Sequence, residues 1–183
     1  MAITKLIGSS LTNDTINATQ LDETANYDFT GTVTGAGGVS TPYFLASISS
    51  SQTVSDNVIT KATFQEEIID SDGCYDNSTN YRFTPTTAGK YFVACTLGGT
   101  VFGVSQIDSM EVFIYKNGSA YMKNRHTAND NPQYWLSPVV NTIVDMNGTT
   151  DYLEVYGQLN VIGYTPQWYS SRYCWFMAHK IID

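Results

Sequence analysis

The sequence predicts an all-β sandwich domain of about 140 residues preceded by an extended arm, and three observations favour this class. Apolar segments recur at short intervals from Tyr43 onward, with turn residues between them. The dipeptides Asn117-Gly118 and Asn147-Gly148 mark bends, since a type I′ turn needs a positive φ at both central positions. No segment shows convincing helical periodicity over more than two turns, and no solenoid repeat is present.

Residues 1–42 differ from the rest of the chain because Thr, Asn, Asp and Gly dominate and apolar residues occur singly. Residues 26–34 alternate with period two and could form a strand, while residues 35–42 are a Gly-rich linker. A segment this polar cannot build its own core. We therefore expect residues 1–42 to be an attachment arm held by a neighbouring protein, and residues 43–183 to be the folded domain.

Strands are predicted wherever apolar residues alternate or run continuously between turn signals. In chain order they lie near residues 43–48, 58–69, 80–84, 89–97, 109–116, 119–124, 134–144, 151–161 and 171–181.

The segment Tyr81–Thr96, YRFTPTTAGKYFVACT, is the most informative of these. Gly89 can adopt a positive φ at the entry of a strand. Beyond it, Tyr91 and Val93 point to one face while Phe92 and Ala94 point to the other. Because nearly every residue is apolar, the strand is expected to be covered on both sides.

The spacing of Phe83, Gly89 and Tyr91 resembles the core signature of the globular C1q/TNF-like domain. Further matches follow in the family's order: the hairpin strand of residues 112–118, the penultimate strand of residues 151–156, and the aromatic closing strand of residues 173–178. The resemblance covers residues 43–183. It implies a jelly roll that forms homotrimers, and it is closest to the C1q-like modules of marine bacteriophage proteins. Val93 and Cys95 depart from it, because the family prefers aromatic residues at their positions.

Composition limits the classes of partner. Only 14% of the residues are charged, against about 25% in a typical domain, so Ser, Thr, Asn, Gln and Tyr must dominate the surface. The net charge of -8 excludes nucleic-acid binding, which requires clustered Lys and Arg. No segment approaches the roughly 20 apolar residues of a membrane helix, so no membrane insertion is expected.

Cys74, Cys95 and Cys174 are odd in number and form no CxxC pair. Cys95 and Cys174 lie in apolar strands, where free thiols act as small buried hydrophobes; a disulfide between them is the alternative. With no signal-peptide pattern in residues 1–20, we expect the chain to fold in the reducing host cytoplasm.

Neither catalysis nor metal binding has a recognisable motif. Glu66 and Glu67 face opposite ways on a strand, and His126 and His179 belong to no nucleophile motif, so the chain is not expected to be an enzyme. No cofactor or metal is expected, although the loop DSDGCYDN of residues 70–77 resembles oxygen-ligand loops and leaves Ca²⁺ as an alternative.

Two aromatic loops are the candidate receptor-binding site, because Tyr and Trp combine large rigid area with a polar tip. The candidates are Tyr164, Trp168 and Tyr169 in one loop and Tyr134 and Trp135 in the other. The alternative is that these side chains plug the end of the barrel or the trimer axis.

These observations predict a homotrimeric bacteriophage structural protein on the virion surface. It would serve as a fibre, knob or decoration protein on capsid or tail, bound to other virion proteins through its N-terminal arm, and could contact a host glycan or protein. The alternative is a soluble C1q-like or lectin-like binding protein outside any virion.

Overall fold

The computed structural model describes residues 40–104, 106–128 and 131–181, so the predicted arm lies outside the described residues except at residues 40–42. Within these ranges every regular element is a strand and no helix occurs, which confirms the all-β prediction. No described segment, accordingly, is a helix long and apolar enough to cross a membrane. The strands are β1 (Tyr43–Ile48), β2 (Gln52–Thr53), β3 (Thr60–Lys61), β4 (Glu66–Asp70), β5 (Tyr75–Asp76), β6 (Arg82–Phe83), β7 (Gly89–Thr96), β8 (Gly99–Thr100), β9 (Ile107–Lys116), β10 (Ser119–Thr127), β11 (Trp135–Leu136), β12 (Val139–Met146), β13 (Leu153–Val161), β14 (Gln167–Trp168) and β15 (Ser171–Lys180).

Two large antiparallel sheets enclose one apolar core. The five-stranded sheet has the order β12-β7-β15-β1-β4, and the six-stranded sheet has the order β10-β9-β13-β6-β5 with β3 also paired to β13. Neighbouring strands are mostly distant in sequence, so the fold depends on long-range pairing, as in Greek-key sandwiches.

The core follows from the period-two alternation of the long strands. Tyr91, Val93 and Cys95 of β7 are all buried, and Phe176 of β15 lies beside them. Aromatic rings from both large sheets also pack in the core: the ring of Phe44 stacks on the rings of Tyr75 and Phe83 at centroid distances of 4.7 and 4.6 Å. Such ring pairs stabilise by roughly 0.5–1.5 kcal/mol beyond their buried area.

Two predicted strands are each divided in the structure. The predicted strand 58–69 is β3 in the six-stranded sheet and β4 in the five-stranded sheet, because the chain crosses between sheets at residues 62–65. Ala62 and Phe64 are fully buried at this crossing, which explains why the apolar pattern continues through it. The predicted strand 134–144 is likewise interrupted at Ser137-Pro138, between β11 and β12.

A small four-stranded sheet, in the order β11-β8-β14-β2, was not predicted. Each of its strands has only two residues, too few to produce a detectable alternation. Its central strands are buried at Gly99, Thr100 and Trp168, so this sheet closes one end of the sandwich.

The turn expected at Asn117-Gly118 is confirmed, whereas at Asn147-Gly148 only Gly148 has a positive φ, of 69°, so that bend is not a type I′ pair. Asn117 and Gly118 have φ values of 52° and 77°, the left-handed pair of a type I′ hairpin between β9 and β10. Gly89 has a φ of 140° at the start of β7. The hairpin extends further than predicted: β10 continues to Thr127, so His126 lies in a strand and not in a loop.

Candidate binding surfaces

The outward side of the five-stranded sheet carries a band of apolar side chains, which we call the apolar face; the Lys90–Asp145 ion pair at 3.6 Å and the carboxylate of Glu66 border it. Directly paired residues of antiparallel strands point to the same side, so the register defines its rows. One row is Tyr43, His179, Phe92 and Ile143; the next is Leu45, Met177, Ala94 and Asn141; the third is Ser47, Trp175, Thr96 and Val139. The apolar side chains thus extend across four adjacent strands.

Much of the apolar face is open to solvent in the single chain. Ile143 is 54% exposed and Val139 is 46% exposed. Phe92, which pairs with Ile143, is half-buried, and so is Trp175. The imidazole of His179 lies against the ring of Phe92, with centroids 5.5 Å apart. Ala94, Ser47 and Thr96 of the rows are buried, so the exposed apolar area lies mainly along β12, and exposed apolar side chains grouped in this way commonly mark sites of protein–protein contact.

The outward side of the six-stranded sheet, which we call the charged face, is different. The carboxylate of Glu111 accepts from Lys123 and Arg125 at 3.3 Å each. The carboxylate of Glu154 pairs with Lys61 and accepts a hydrogen bond from the Tyr156 hydroxyl at 3.3 Å. Burial, together with the charge of Glu154, raises the pKa of Tyr156 to about 12, so this phenol remains a donor at neutral pH.

The aromatic residues predicted as a receptor site form two groups. In the first group, the Trp135 ring contacts Tyr169 and Tyr173 edge to face, with centroids 5.4 and 5.2 Å apart. Tyr169 also contacts Phe102, and Tyr134 is 62% exposed beside them. We call these five residues the Trp135 cluster. Tyr173 and Phe102 were not among the predicted residues, although Tyr173 belongs to the outward set of the alternating closing strand.

The Trp135 cluster is continuous with the apolar face. Tyr173 and Trp175 are two residues apart on β15 and therefore point to the same side of the sheet. The Trp135 cluster thus adjoins the apolar face, and both its predicted receptor contact and the alternative of packing at the end of the barrel stay predictions.

The prediction that Trp168 contacts a receptor is wrong, because its side chain is fully buried. It fills the space left by Gly157: a Cβ at that position would lie 2.8 Å from the indole ring. The sequence placed Trp168 in an exposed loop because β14 is too short to recognise.

Tyr164 forms a separate site at the other edge of the small sheet. It is 50% exposed and borders an open pocket of about 470 Å³, which we call the Tyr164 pocket. The pocket is lined by Thr53, Ser55, Asp56, Thr60, Tyr164 and Thr165, together with the buried Val54 and Pro166. Tyr164 and Tyr169 are only five residues apart, yet β14 lies between them and they belong to different surfaces.

The acidic loop of residues 70–77 uses its carboxylates internally. Asp70 accepts the backbone N–H groups of Asp72 and Tyr75, at 3.2 and 2.7 Å. Asp76 accepts the N–H groups of residues 78–80, and the bond from Thr79 contributes most to lowering the pKa of Asp76. No cluster of three or more His, Cys, Asp or Glu side chains suited to a metal occurs in the part of the chain that the structure describes.

The other side chains considered for catalysis or redox chemistry are Glu66, Glu67, His126 and the three cysteines. Glu66 accepts the Ser47 hydroxyl at 2.7 Å, and its neighbour Glu67 is exposed, as is His126. The three cysteines are free and buried, which confirms the thiol interpretation and not the disulfide. Burial raises the pKa of Cys174 to about 11, so the thiol remains protonated at neutral pH.

Comparison with known proteins identifies the fold. No protein-family model matches the sequence, and no curated protein sequence matches it. Murine APRIL at pH 5.0 aligns with a TM-score of 0.55 and 10% identity, over 76% of this chain and 99% of that chain. The globular domain of zebrafish complement 1qA aligns with a TM-score of 0.53 and 10% identity, over 77% and 98%. Eiger TNF from S. frugiperda aligns with a TM-score of 0.51 and 10% identity, over 78% and 95%.

Identities this low establish a shared fold and nothing finer. The described strands form two large antiparallel sheets and no helix, as expected of a jelly roll. The chain therefore has the C1q/TNF-like jelly-roll fold, as the resemblance of its strand motifs implied.

Proposed function

We propose that the protein is a non-enzymatic homotrimer whose protomers meet through the apolar face. We further propose that this trimer is a bacteriophage virion surface protein, a fibre, knob or decoration protein on capsid or tail, that contacts the host surface. Assembly would take place in the host cytoplasm.

The apolar face is the observation that carries this proposal. Removing its side chains from water would stabilise an assembly by about 25 cal/mol for each Å² of apolar area buried. The charged face lacks this driving force, because its Lys, Arg and Glu side chains are paired with one another and would lose water on burial.

The fold supports three copies, since the family that the sequence resembles forms trimers. In a three-fold ring each protomer contributes two different surfaces, and the ring closes without leaving either surface open. The apolar face of one protomer would then contact a different surface of the next.

The virion role is supported by the sequence. Its resemblance to bacteriophage C1q-like modules, its polar surface with few charges, and the core-less segment 1–42 agree with a protein packed in a larger particle. In this proposal the arm grips another virion protein and the domain faces outward. The alternative, a soluble C1q-like or lectin-like protein, shares the trimer but needs no such partner.

Two measurements test the proposal. Light scattering of the full chain should give about three times its 20.2 kDa mass, and a mass of one chain would contradict the trimer. Antibody labelling of purified phage particles should place the protein at the capsid or tail. Its absence from particles, with the trimer retained, would favour the soluble alternative.

A further inference from the structure

Hydrogen bonds connect the chain segments that form the Tyr164 pocket. The Val54 N–H donates to the Pro166 carbonyl at 3.0 Å, which joins the two loops that form it. The Val161 N–H donates to the Asp56 carboxylate at 2.8 Å, and the Asn57 N–H donates to the Leu159 carbonyl at 2.7 Å. The loop of residues 54–60 is thus fixed to β13, so the pocket is formed before any ligand arrives.

The lining combines hydroxyl groups, one carboxylate and one exposed aromatic ring. Thr53, Ser55 and Thr165 are exposed and offer hydroxyls that can both donate and accept. Asp56 is exposed although one of its oxygens is held by Val161. Tyr164 presents a ring beside these polar groups.

The charge of the lining excludes anionic ligands. No Lys, Arg or His lines the pocket, and its single charged group is the Asp56 carboxylate. A phosphate, a sulfate or a sialic acid would meet repulsion with no compensating cation, in a protein whose net charge is already -8.

From this chemistry we propose that the Tyr164 pocket binds a neutral pyranose sugar. The apolar face of the sugar ring stacks on Tyr164, its hydroxyls exchange hydrogen bonds with the Thr and Ser hydroxyls, and the Asp56 carboxylate accepts from a sugar hydroxyl. The pocket volume of about 470 Å³ lies within the range of roughly 300–1,000 Å³ of small-molecule sites. This rests on the host contact in the proposed function and adds the ligand class and its site.

The Trp135 cluster suits a sugar less well. Tyr134, Trp135 and Tyr173 line a hollow of about 260 Å³ with no charged side chain, and the cluster continues into the apolar face. The sugar site therefore lies apart from the surface used for self-association, and the two can be tested separately.

The experiment titrates the full-length protein with the methyl glycosides of glucose, galactose, mannose and N-acetylglucosamine, followed by saturation-transfer NMR. Sialyllactose, inorganic phosphate and calcium chloride are the charged probes; phosphate and calcium chloride carry no C–H protons and are therefore titrated by isothermal calorimetry. At least one neutral glycoside should bind saturably. Its affinity should fall about tenfold or more in Tyr164→Ala, which removes the stacking ring, and in Asp56→Asn, which removes the charged acceptor.

Two controls isolate the site. Tyr164→Phe keeps the stacking ring, and Tyr134→Ala removes a tyrosine of the Trp135 cluster that is 62% exposed, against 50% for Tyr164; both variants should bind within about twofold of the parent. Absence of binding by every neutral glycoside, or unchanged binding in Tyr164→Ala, would overturn the inference. So would a charged probe that binds more tightly than the sugars and whose affinity changes, in either direction, in Asp56→Asn or Tyr164→Ala.

The light-scattering mass of the same samples separates this inference from the proposed function. A trimer that binds none of the sugars leaves the assembly proposal intact. A monomer that binds a neutral sugar through Tyr164 contradicts the trimer and supports the pocket.

Discussion

The two outward faces of the sandwich are built from strands of similar length, yet one is apolar and the other is charged. On the apolar face, Phe92, Ile143 and Met177 occupy the outward positions. On the charged face, the corresponding rows are Arg125, Glu111 and Gln158; Lys123, Phe113 and Tyr156; and Thr127, Ser109 and Asn160. The apolar residues of the charged face are covered: Phe113 is 4% exposed and lies under the Lys123 ammonium.

This difference indicates that the charged face is the one suited to contact with water. A chain with only 14% charged residues has few charges to distribute, and it places several of them in pairs on one face. The other face keeps half-exposed and exposed apolar side chains, bordered by the Lys90–Asp145 ion pair, and the proposed trimer would cover them. Each prediction below alters one face and uses the other as its control.

The largest effect is expected from a charge on the apolar face. Ile143→Glu puts a carboxylate at a position that is 54% exposed in the single chain, so the monomer should remain folded. In a trimer that carboxylate would be buried without a partner, at a cost of several kcal/mol. Light scattering should therefore report dissociation to single chains.

Thr127→Glu is the matched control, because it adds the same charge to the charged face. Thr127 is exposed, and its hydroxyl accepts a hydrogen bond from Arg125 at 3.2 Å. This variant should keep the assembled mass. Dissociation in both variants, or in neither, would mean that the faces do not differ in the proposed way.

A smaller effect is expected where the charged face depends on a half-buried ion pair. Lys61→Met leaves the Glu154 carboxylate, whose side chain is only 7% exposed, without its cation. Breaking a buried pair costs about 3–5 kcal/mol, and since the Lys61 side chain is 29% exposed we expect about 1–3 kcal/mol.

Lys123→Met tests the same change at a lysine whose side chain is 60% exposed, where a loss within about 0.5 kcal/mol is expected. Urea unfolding at one fixed protein concentration measures both variants, because the stability of an oligomer depends on concentration. Equal losses would show that Glu154 is not held by Lys61.

An effect at the low end of the range for Lys61→Met is expected at Asp151, which lies just before β13 begins. Its carboxylate accepts the Asn117 side-chain amide at 2.8 Å and pairs with Lys116 at 2.9 Å, and these contacts lower the pKa of Asp151. A carboxylate with a lowered folded-state pKa stabilises the protein above its unfolded pKa of about 3.9, and this contribution is lost as the pH falls through the folded-state pKa.

Asp151→Asn should accordingly cost about 1 kcal/mol at pH 7. The difference in unfolding free energy between Asp151→Asn and the parent should shrink as the pH is lowered below 4. A difference that stays constant over this range would show that the charge of Asp151 contributes nothing.

The long strands could be predicted from the sequence because their alternation determines which side faces the core. Tyr91, Val93 and Cys95 were expected to share one face, and all three are buried. The alternation of apolar and polar residues does not indicate which sheet a strand joins. Residues 58–69 therefore looked like one strand, although the chain passes between sheets at the buried Ala62 and Phe64.

The candidate site was predicted less well, because loop residues carry no periodic signal. Proximity in sequence suggested that Tyr164, Trp168 and Tyr169 form one surface. In the structure β14 buries Trp168, and it separates Tyr169 from the Tyr164 pocket. Asp56, which we propose contacts the sugar, is remote in sequence and adjoins Tyr164 through the pairing of β2 with β14 and the hydrogen bond from the Val161 N–H.

The most direct test of the account is whether water reaches the apolar face of the assembled protein. Met177 lies in the central row of that face and is half-buried in the single chain. Its oxidation by hydrogen peroxide, measured by mass spectrometry with N-acetylmethionine amide as reference, reports this access. We predict oxidation several-fold slower in the parent than in Ile143→Glu; equal rates in the two proteins would contradict a covered apolar face.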